Sequence, residues 1–142
     1  MRAVIQRVLS ASVTVEGQVV GSVTEPALLV YLGITHDDGP DEVEWMARKI
    51  WDLRLLREEQ SLSDVSGSVL LVSQFTLYGD GRKGRRPTWV AAAPGAVSEP
   101  LYEAVATALA DRGARVERGE FGADMRVESV NDGPITLVLE TP

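Results

Sequence analysis

The sequence predicts a mixed α/β fold that is rich in β-strands, with largely antiparallel sheets forming a barrel-like core and two amphipathic helices packed outside it. Two observations support this prediction. Short alternating or continuous apolar runs recur along the chain, and only two stretches show the 3.6-residue period of an amphipathic helix. Strand-like and helical stretches do not alternate regularly, which disfavours a sheet built from βαβ units.

The first half of the chain is predicted to form a hairpin followed by a central strand. Residues 2–8 and 11–16 alternate apolar and polar side chains, and Glu16-Gly17 forms a tight connection into residues 18–23. Residues 27–34 are almost continuously apolar, as in a strand that is covered on both faces.

The two predicted helices begin near Asp41 and near residue 101. Asp41 or Asp38 is a plausible N-cap for the first helix. The second is expected to end at Gly113, because glycine is favoured just past a helix end. Residues 58–67 are expected to form a polar loop and 87–99 an irregular connection, and further strands are expected at 54–57, 115–117, 124–130 and 135–140.

Length and composition limit the functional classes. The 142 residues are predicted to form one domain over 1–142, since a chain of this size buries roughly two-thirds of its unfolded surface. No cysteine is present, which excludes disulfides, thiolate metal sites and a cysteine nucleophile. Neither a signal-peptide segment nor a membrane-length apolar run is evident. We therefore expect a soluble, cytoplasmic protein with no membrane partner.

A buried strand with a polar end is predicted over residues 69–78. Four apolar residues are followed by Ser73, Gln74 and Thr76, whose hydrogen-bonding side chains lie where the strand leaves the sheet. These residues are candidates for chemistry. Spacing alone equally allows a structural role, with Thr76 packed and Ser73 closing a hydrogen bond at the strand end.

A Gly-Pro pair, Gly133-Pro134, interrupts the apolar pattern between the last two predicted strands. Glycine lets a ligand approach the main chain, and proline removes a donor and fixes φ. Together they offer rigid carbonyl groups and little side chain, although an ordinary turn would have the same composition.

The net charge of −7 argues against general binding of nucleic acid. A local contact remains possible at a basic loop, because four of the fourteen basic residues lie within five positions: Arg82, Lys83, Arg85 and Arg86. The single histidine, His36, lies in a turn where capping or loop roles are usual. The acidic residues that follow lack the spacing of a calcium loop, so we expect no metal and no cofactor.

The sequence resembles one known family. Ser-Gln-Phe-Thr-Leu at 73–77 and Asn-Asp-Gly-Pro-Ile-Thr at 131–136 resemble the two signature motifs of the D-aminoacyl-tRNA deacylases, and the resemblance covers nearly the whole chain. Residues 5–8, 11–15, 84–87 and 119–125 also occupy family-like positions. Residues 58–66 depart from the family, which usually has a longer turn there, and this leaves the role of the loop open.

The resemblance implies hydrolysis of the ester bond of D-aminoacyl-tRNA, with rejection of L-aminoacyl-tRNA, as proofreading in translation. If that rejection is steric, glycyl-tRNA, which has no Cβ to collide, is expected to be hydrolysed as well. It also implies a homodimer in which residues 73–76 of one chain face Gly133-Pro134 of the other. A cis Gly-Pro bond would direct both carbonyls at the substrate's α-amino group, and an L side chain would collide with the main chain. Arg7 resembles an arginine that braces this motif.

The catalytic candidates are accordingly Ser73, Gln74, Phe75 and Thr76. Main-chain N–H groups near Gln74 and Phe75 are expected to stabilise the oxyanion. Thr76 as a nucleophile lacks an evident base. We favour attack by water, assisted by the 2′-hydroxyl of the terminal ribose.

Phe121 and Met125 are expected either to contact the terminal adenosine or to belong to the core. Two other functions remain open: a non-catalytic RNA-binding or dimerisation module, and a small-molecule esterase.

Overall fold

One five-stranded sheet, in the order β4-β3-β2-β1-β5, organises the chain in the computed structural model, which describes all 142 residues. Its strands are β1 (Arg2–Val15), β2 (Gln18–Gly33), β3 (Ser68–Ser73), β4 (Arg115–Arg118) and β5 (Arg126–Glu140). The helices are α1 (Pro40–Asp52), α2 (Leu62–Val65) and α3 (Gly95–Asp111), and 3-10 turns occur at Arg57–Glu59 and Phe75–Tyr78. None of the helices is long and apolar enough to cross a membrane.

The predicted hairpin is confirmed as β1 and β2. Glu16 and Gly17 both have positive φ, 49° and 79°, as a two-residue turn that matches the twist of the strands requires. β1 also pairs antiparallel with β5, whereas β2–β3 and β3–β4 are parallel. The two parallel pairs involve the shorter strands, which the chain reaches through the helical segments.

The sheet is open but strongly curled. Val72 of β3 and Val127 of β5 line the same cavity, although β2 and β1 lie between their strands. A small apolar cluster fills the inside of the curl, and a larger one lies under α1 and α3. The predicted fold class, with a barrel-like sheet and two amphipathic helices outside it, is therefore confirmed.

Several predicted elements differ from the structure. The strand expected over 69–78 ends at Ser73, because the chain enters a 3-10 turn at Phe75–Tyr78, and the runs at 18–23 and 27–34 belong to one strand, β2. Only two of the four strand pairs are antiparallel, because helical connections lead from β2 to β3 and from β3 to β4.

The strand expected at 54–57 is wrong, because Glu58 and Glu59 adopt left-handed φ values of 60° and 55° and turn the chain away from the sheet. The loop at 58–67 contains α2, which Ser61 caps by accepting a hydrogen bond from the Asp64 N–H. The second long helix begins at Gly95, earlier than expected.

The two strands expected at 124–130 and 135–140 are one continuous strand. β5 runs through the Gly-Pro pair by bulging instead of ending there.

Candidate active site

A cavity of about 520 Å³ opens at the end of β3. Most of its lining is apolar. Among the residues that line it are Ser73, Gln74, Phe75, Trp89, Phe121 and Met125. All of these except Trp89 were predicted from the sequence, and the six residues together come from three separate segments of the chain.

The end of β3 leaves two main-chain donors free beside this cavity. The Gln74 N–H donates to the carbonyl of Leu32 at 2.8 Å, as the last bond between β2 and β3, and the chain then enters a 3-10 turn. The N–H groups of Phe75 and Thr76 have no acceptor within the protein. Strand pairing uses the N–H of Gln74, so among the expected oxyanion donors near Gln74 and Phe75 the unpaired ones are the N–H groups of Phe75 and Thr76.

Thr76 lies outside the cavity lining and is exposed. Its hydroxyl accepts a hydrogen bond from Gln74 Nε2. No histidine, aspartate or glutamate lines the cavity, and His36 Nε2 contacts the Val90 carbonyl at 2.8 Å. The hydroxyls of Ser73 and Thr76 consequently have no general base beside them.

An aromatic pair forms the rim of the cavity. Phe75 and Trp89 pack edge to face, with ring centroids 5.5 Å apart, and both side chains are exposed. A Cβ at Gly79 would lie 2.5 Å from Trp89, so only glycine lets this ring approach. Sequence reasoning missed Trp89. The available signal was a tryptophan close after the basic loop in a segment without helical or strand periodicity.

Phe121 and Met125 are half-buried on the opposite wall. The Phe121 ring packs against Tyr102, with centroids 5.9 Å apart, and the Met125 sulfur lies against Gly119. Both residues pack against the core and also line the cavity, so their core role is confirmed and their side chains remain accessible from the cavity. Their contact with an adenosine stays a prediction.

The Gly-Pro motif lies on a bulge of β5. Asn131 pairs with Val8 and Thr136 with Gln6, so the four residues 132–135 face Arg7 alone. The Asn131 side-chain amide closes the bulge by donating to the carbonyls of Arg7 at 2.9 Å and of Ile135 at 3.0 Å.

Gly133 is required at this bulge for two reasons. Its φ is +108°, and a Cβ built on it would lie 2.2 Å from Arg7 Nη2. Gly133 and Pro134 are both exposed. The only cis peptide bond is Glu25–Pro26, so the Gly133–Pro134 bond is trans and the expected cis isomer is wrong. The positive φ of Gly133 allows the chain to turn here with a trans bond.

One chain does not bring the two motifs together. Gly133 lies six residues beyond Val127, a cavity-lining residue of the same strand, which corresponds to roughly 20 Å along β5. Arg7, Gly133 and Pro134 are therefore remote from the cavity at the end of β3.

The basic loop is fully exposed, and along the chain it lies between the 3-10 turn at Phe75–Tyr78 and Trp89 of the cavity rim. Main-chain hydrogen bonds between Asp80 and Thr88, both 2.9 Å, close the loop. Arg82 donates to both carboxylate oxygens of Asp80 and lowers the pKa of that carboxyl to about 2. Lys83 and the arginines at 85 and 86 form no ion pair. The charge of Arg82 is thus already paired with Asp80, whereas the charges of Lys83 and of the arginines at 85 and 86 are free to contact a ligand.

Asp132 is the most constrained carboxylate near the bulge. It is buried, with Arg57 donating to both of its oxygens and Arg7 contacting one of them at 3.1 Å. The hydrogen bonds from Arg57, and then the charges of the two arginines, hold the pKa of Asp132 below its usual range. Glu25 of β2 lines the same small pocket. No cluster of three or more potential metal-binding side chains is present in the molecule.

The fold and this cavity define a small α/β enzyme. The chain belongs to the D-Tyr-tRNA(Tyr) deacylase family, whose family model matches residues 4–140. The resemblance inferred from the two motifs is thereby confirmed.

Relatives and solved structures agree with this assignment. A D-aminoacyl-tRNA deacylase of Kineococcus radiotolerans is 65% identical over 140 residues, which cover 99% of each chain. The structure of a c-Myc DNA Unwinding Element Binding Protein superposes with a TM-score of 0.93 at 38% identity, covering 100% of this chain and 99% of that one. A probable eukaryotic D-amino acid tRNA deacylase shares the fold, with a TM-score of 0.84 at 17% identity and 97% coverage of both chains.

The lowered pKa of Asp132 predicts a specific pH dependence of stability. Because its pKa is lower in the folded than in the unfolded state, Asp132 contributes stability above about pH 4, the ordinary aspartate pKa, and this contribution is lost as the pH falls. The difference in unfolding free energy between wild type and Asp132→Asn should therefore be largest at neutral pH and shrink below pH of about 4.

Urea unfolding between acidic and neutral pH measures this difference. Asp52→Asn is the matched control, since Asp52 is exposed and forms no ion pair. A difference for Asp132→Asn that does not vary with pH would contradict the proposed ionic role.

Proposed function

We propose that this protein hydrolyses the ester bond of D-aminoacyl-tRNA to free D-amino acid and tRNA and rejects L-aminoacyl-tRNA, as a proofreading step of translation. The observation that supports this best is the cavity at the end of β3, where two unpaired N–H groups adjoin an apolar wall. Such a cavity suits an ester that is already activated, because positioning and oxyanion stabilisation suffice. tRNA is charged in the cytoplasm, which is where we place this activity.

The N–H groups of Phe75 and Thr76 are the proposed oxyanion donors. A single donor of this kind typically lowers a barrier by about 3 kcal/mol. Because no side chain in the cavity can act as a base for a hydroxyl nucleophile, water attacks the carbonyl carbon with help from the 2′-hydroxyl of the terminal ribose. The bond to the ribose oxygen breaks, and that oxygen takes up a proton. Thr76 shapes the entrance and does not form a covalent intermediate.

A homodimer is the second part of the proposal, with Gly133-Pro134 of one chain completing the cavity of the other. The separation of the two motifs by roughly 20 Å within one chain supports it. β5 is an edge strand whose Val130 and Val138 are 51% and 64% exposed, and an uncovered apolar edge favours contact with a second chain.

Stereochemical selection follows from the composition of the bulge. Gly133 and Pro134 have no partner residue on β1, and they present main chain with little side chain. We propose that this main chain is a wall that an L side chain meets and a D side chain avoids. Selection is then steric, and the D side chain itself needs no recognition.

The rim and the basic loop are proposed to hold the end of the tRNA. Phe75, Trp89, Phe121 and Met125 offer apolar and aromatic surface for the unpaired terminal adenosine. The basic loop precedes Trp89 in the chain and can contact backbone phosphates, which offsets the overall negative charge locally.

A purely steric filter predicts that glycine is not rejected. Glycyl-tRNA has no Cβ to collide with the wall, so it should be hydrolysed measurably, and D-alanyl- and D-tyrosyl-tRNA should react within about tenfold of each other. L-tyrosyl-tRNA should resist. Release rates of the four amino acids measure this under one set of conditions.

Two results would contradict the proposal in different ways. Complete resistance of glycyl-tRNA, with strong dependence on the size of the D side chain, would refute the steric filter alone. Absence of release from every substrate would favour a non-catalytic RNA-binding module.

The available charges of the basic loop predict the salt dependence of tRNA binding. Lys83→Ala with Arg85→Ala should weaken binding and reduce the slope of log affinity against log salt by about 1 to 2, because each phosphate contact releases roughly one counterion. Hydrolysis of bound substrate should change little.

Arg48→Ala with Arg54→Ala is the matched control, since it removes the same charge at two exposed residues without ion pairs. Equal slopes in the two double variants would remove the basic loop from the tRNA interface.

A further inference from the structure

The connection between α1 and α2 lies against the Gly-Pro bulge. Residues 56–60 of this connection form a tight turn, which the buried side chain of Leu56 anchors. The Leu56 N–H donates to the Gln60 carbonyl at 2.9 Å, and the Gln60 N–H donates to the Arg57 carbonyl at 3.3 Å. Arg57 therefore extends from a backbone that is held on both sides.

Arg57 binds the residue that precedes Gly133. Its Nε donates to Asp132 Oδ2 at 3.1 Å and its Nη2 to Asp132 Oδ1 at 2.6 Å. Two parallel bonds between guanidinium and carboxylate fix orientation as well as distance. The Asp132 side chain is 10% exposed, so the bulge is held from its inner side.

The same turn also positions Arg7. Arg7 Nη1 donates to the Leu55 carbonyl at 3.5 Å, and Arg7 Nε lies 3.2 Å from the Asp132 carbonyl oxygen and 3.1 Å from Asp132 Oδ2. Arg7 Nη2 fills the space where a side chain at Gly133 would begin. Arg57, Asp132 and Arg7 thus form a continuous clamp from the turn to the bulge.

We propose that Arg57 is a positioning residue that holds the Gly133-Pro134 wall in place and so sets the discrimination between D and L substrates without touching either. This inference rests on the proposed function. The Arg57 side chain is 68% exposed, but its partner Asp132 is only 10% exposed, so the loss of Arg57 leaves a buried carboxylate that Arg7 alone contacts and lowers stability. The effect on discrimination is separate from this loss, because the ratio of D to L rates reports it. A wall that excludes one side chain must be placed to well within 1 Å, since errors of about that size change rates by about 100-fold.

The segment that departs from the family supports this clamp from one side, through the hydrogen bonds that Gln60 forms with Leu56 and Arg57. Residues 58–66 contain the left-handed pair Glu58 and Glu59, which reverses the chain directly after Arg57. Sequence reasoning left this segment without a function. The contacts assign it the support of the bulge instead of a place in the cavity.

Kinetics of Arg57→Ala and Arg57→Lys on D-tyrosyl- and L-tyrosyl-tRNA test this role. At a temperature where the variant is folded, Arg57→Ala should raise kcat/KM for the L substrate by about tenfold, while kcat/KM for the D substrate changes less than about threefold. The melting temperature should fall, because the buried Asp132 loses the hydrogen bonds from Arg57. The kcat/KM of Arg57→Lys for the L substrate should lie between the values of wild type and Arg57→Ala, because lysine keeps the charge but cannot form the two parallel bonds. Arg54→Ala, in the same connection but exposed and without an ion pair, should behave as wild type.

The ratio of D to L rates separates the outcomes. A merely structural role would lower the melting temperature and both rates together and leave the ratio fixed, which would overturn the assignment of Arg57. If Arg57→Ala does not fold, a wild-type ratio in Arg57→Lys overturns it. A wild-type protein that releases neither amino acid would refute the proposed function, and the role of Arg57 with it.

Discussion

The parallel pairing of β2 with β3 determines where this chain can carry chemistry. Both strands are buried along their paired length, and their last hydrogen bond joins the Gln74 N–H to Leu32. Gly33 lets the following turn approach, because a Cβ there would lie 3.0 Å from the Gln74 carbonyl oxygen. The chain must therefore leave the sheet at Phe75, and it does so with two donors unpaired and an apolar cavity beside them.

The second motif depends on a different constraint, the mismatch in length between β1 and β5. Four residues of β5 must fit opposite Arg7, and they bulge outward while Arg7, Asn131 and Arg57 hold the bulge from within. In the proposed dimer, the first motif supplies a cavity and the second supplies the wall that completes it. Their separation in one chain makes a second copy the natural complement of each.

The sequence predicted those features that local patterns determine. Glu16-Gly17 specifies a hairpin through φ, and the apolar run before Ser73 specifies a buried strand. Three cavity residues followed from the first signature motif and two from the family-like segment at 119–125. The features that could not be predicted depend on contacts distant in sequence. Residues 54–57, with two leucines between two arginines, resemble a strand until their neighbours are known, and the use of the Gln74 N–H depends on Leu32. Likewise, Arg57 gains its role only because the turn lies against Asp132.

Mixing two inactive variants tests the shared site most directly. Ser73→Trp fills the cavity but leaves the bulge intact, and Gly133→Val collides with Arg7 but leaves the cavity intact. Random exchange of subunits makes about half of the dimers mixed, each with one intact site of two, so activity should recover to about a quarter of wild type. Recovery to that level on D-tyrosyl-tRNA is the predicted result. A mixture no more active than the sum of the two separate variants would contradict a site shared between subunits.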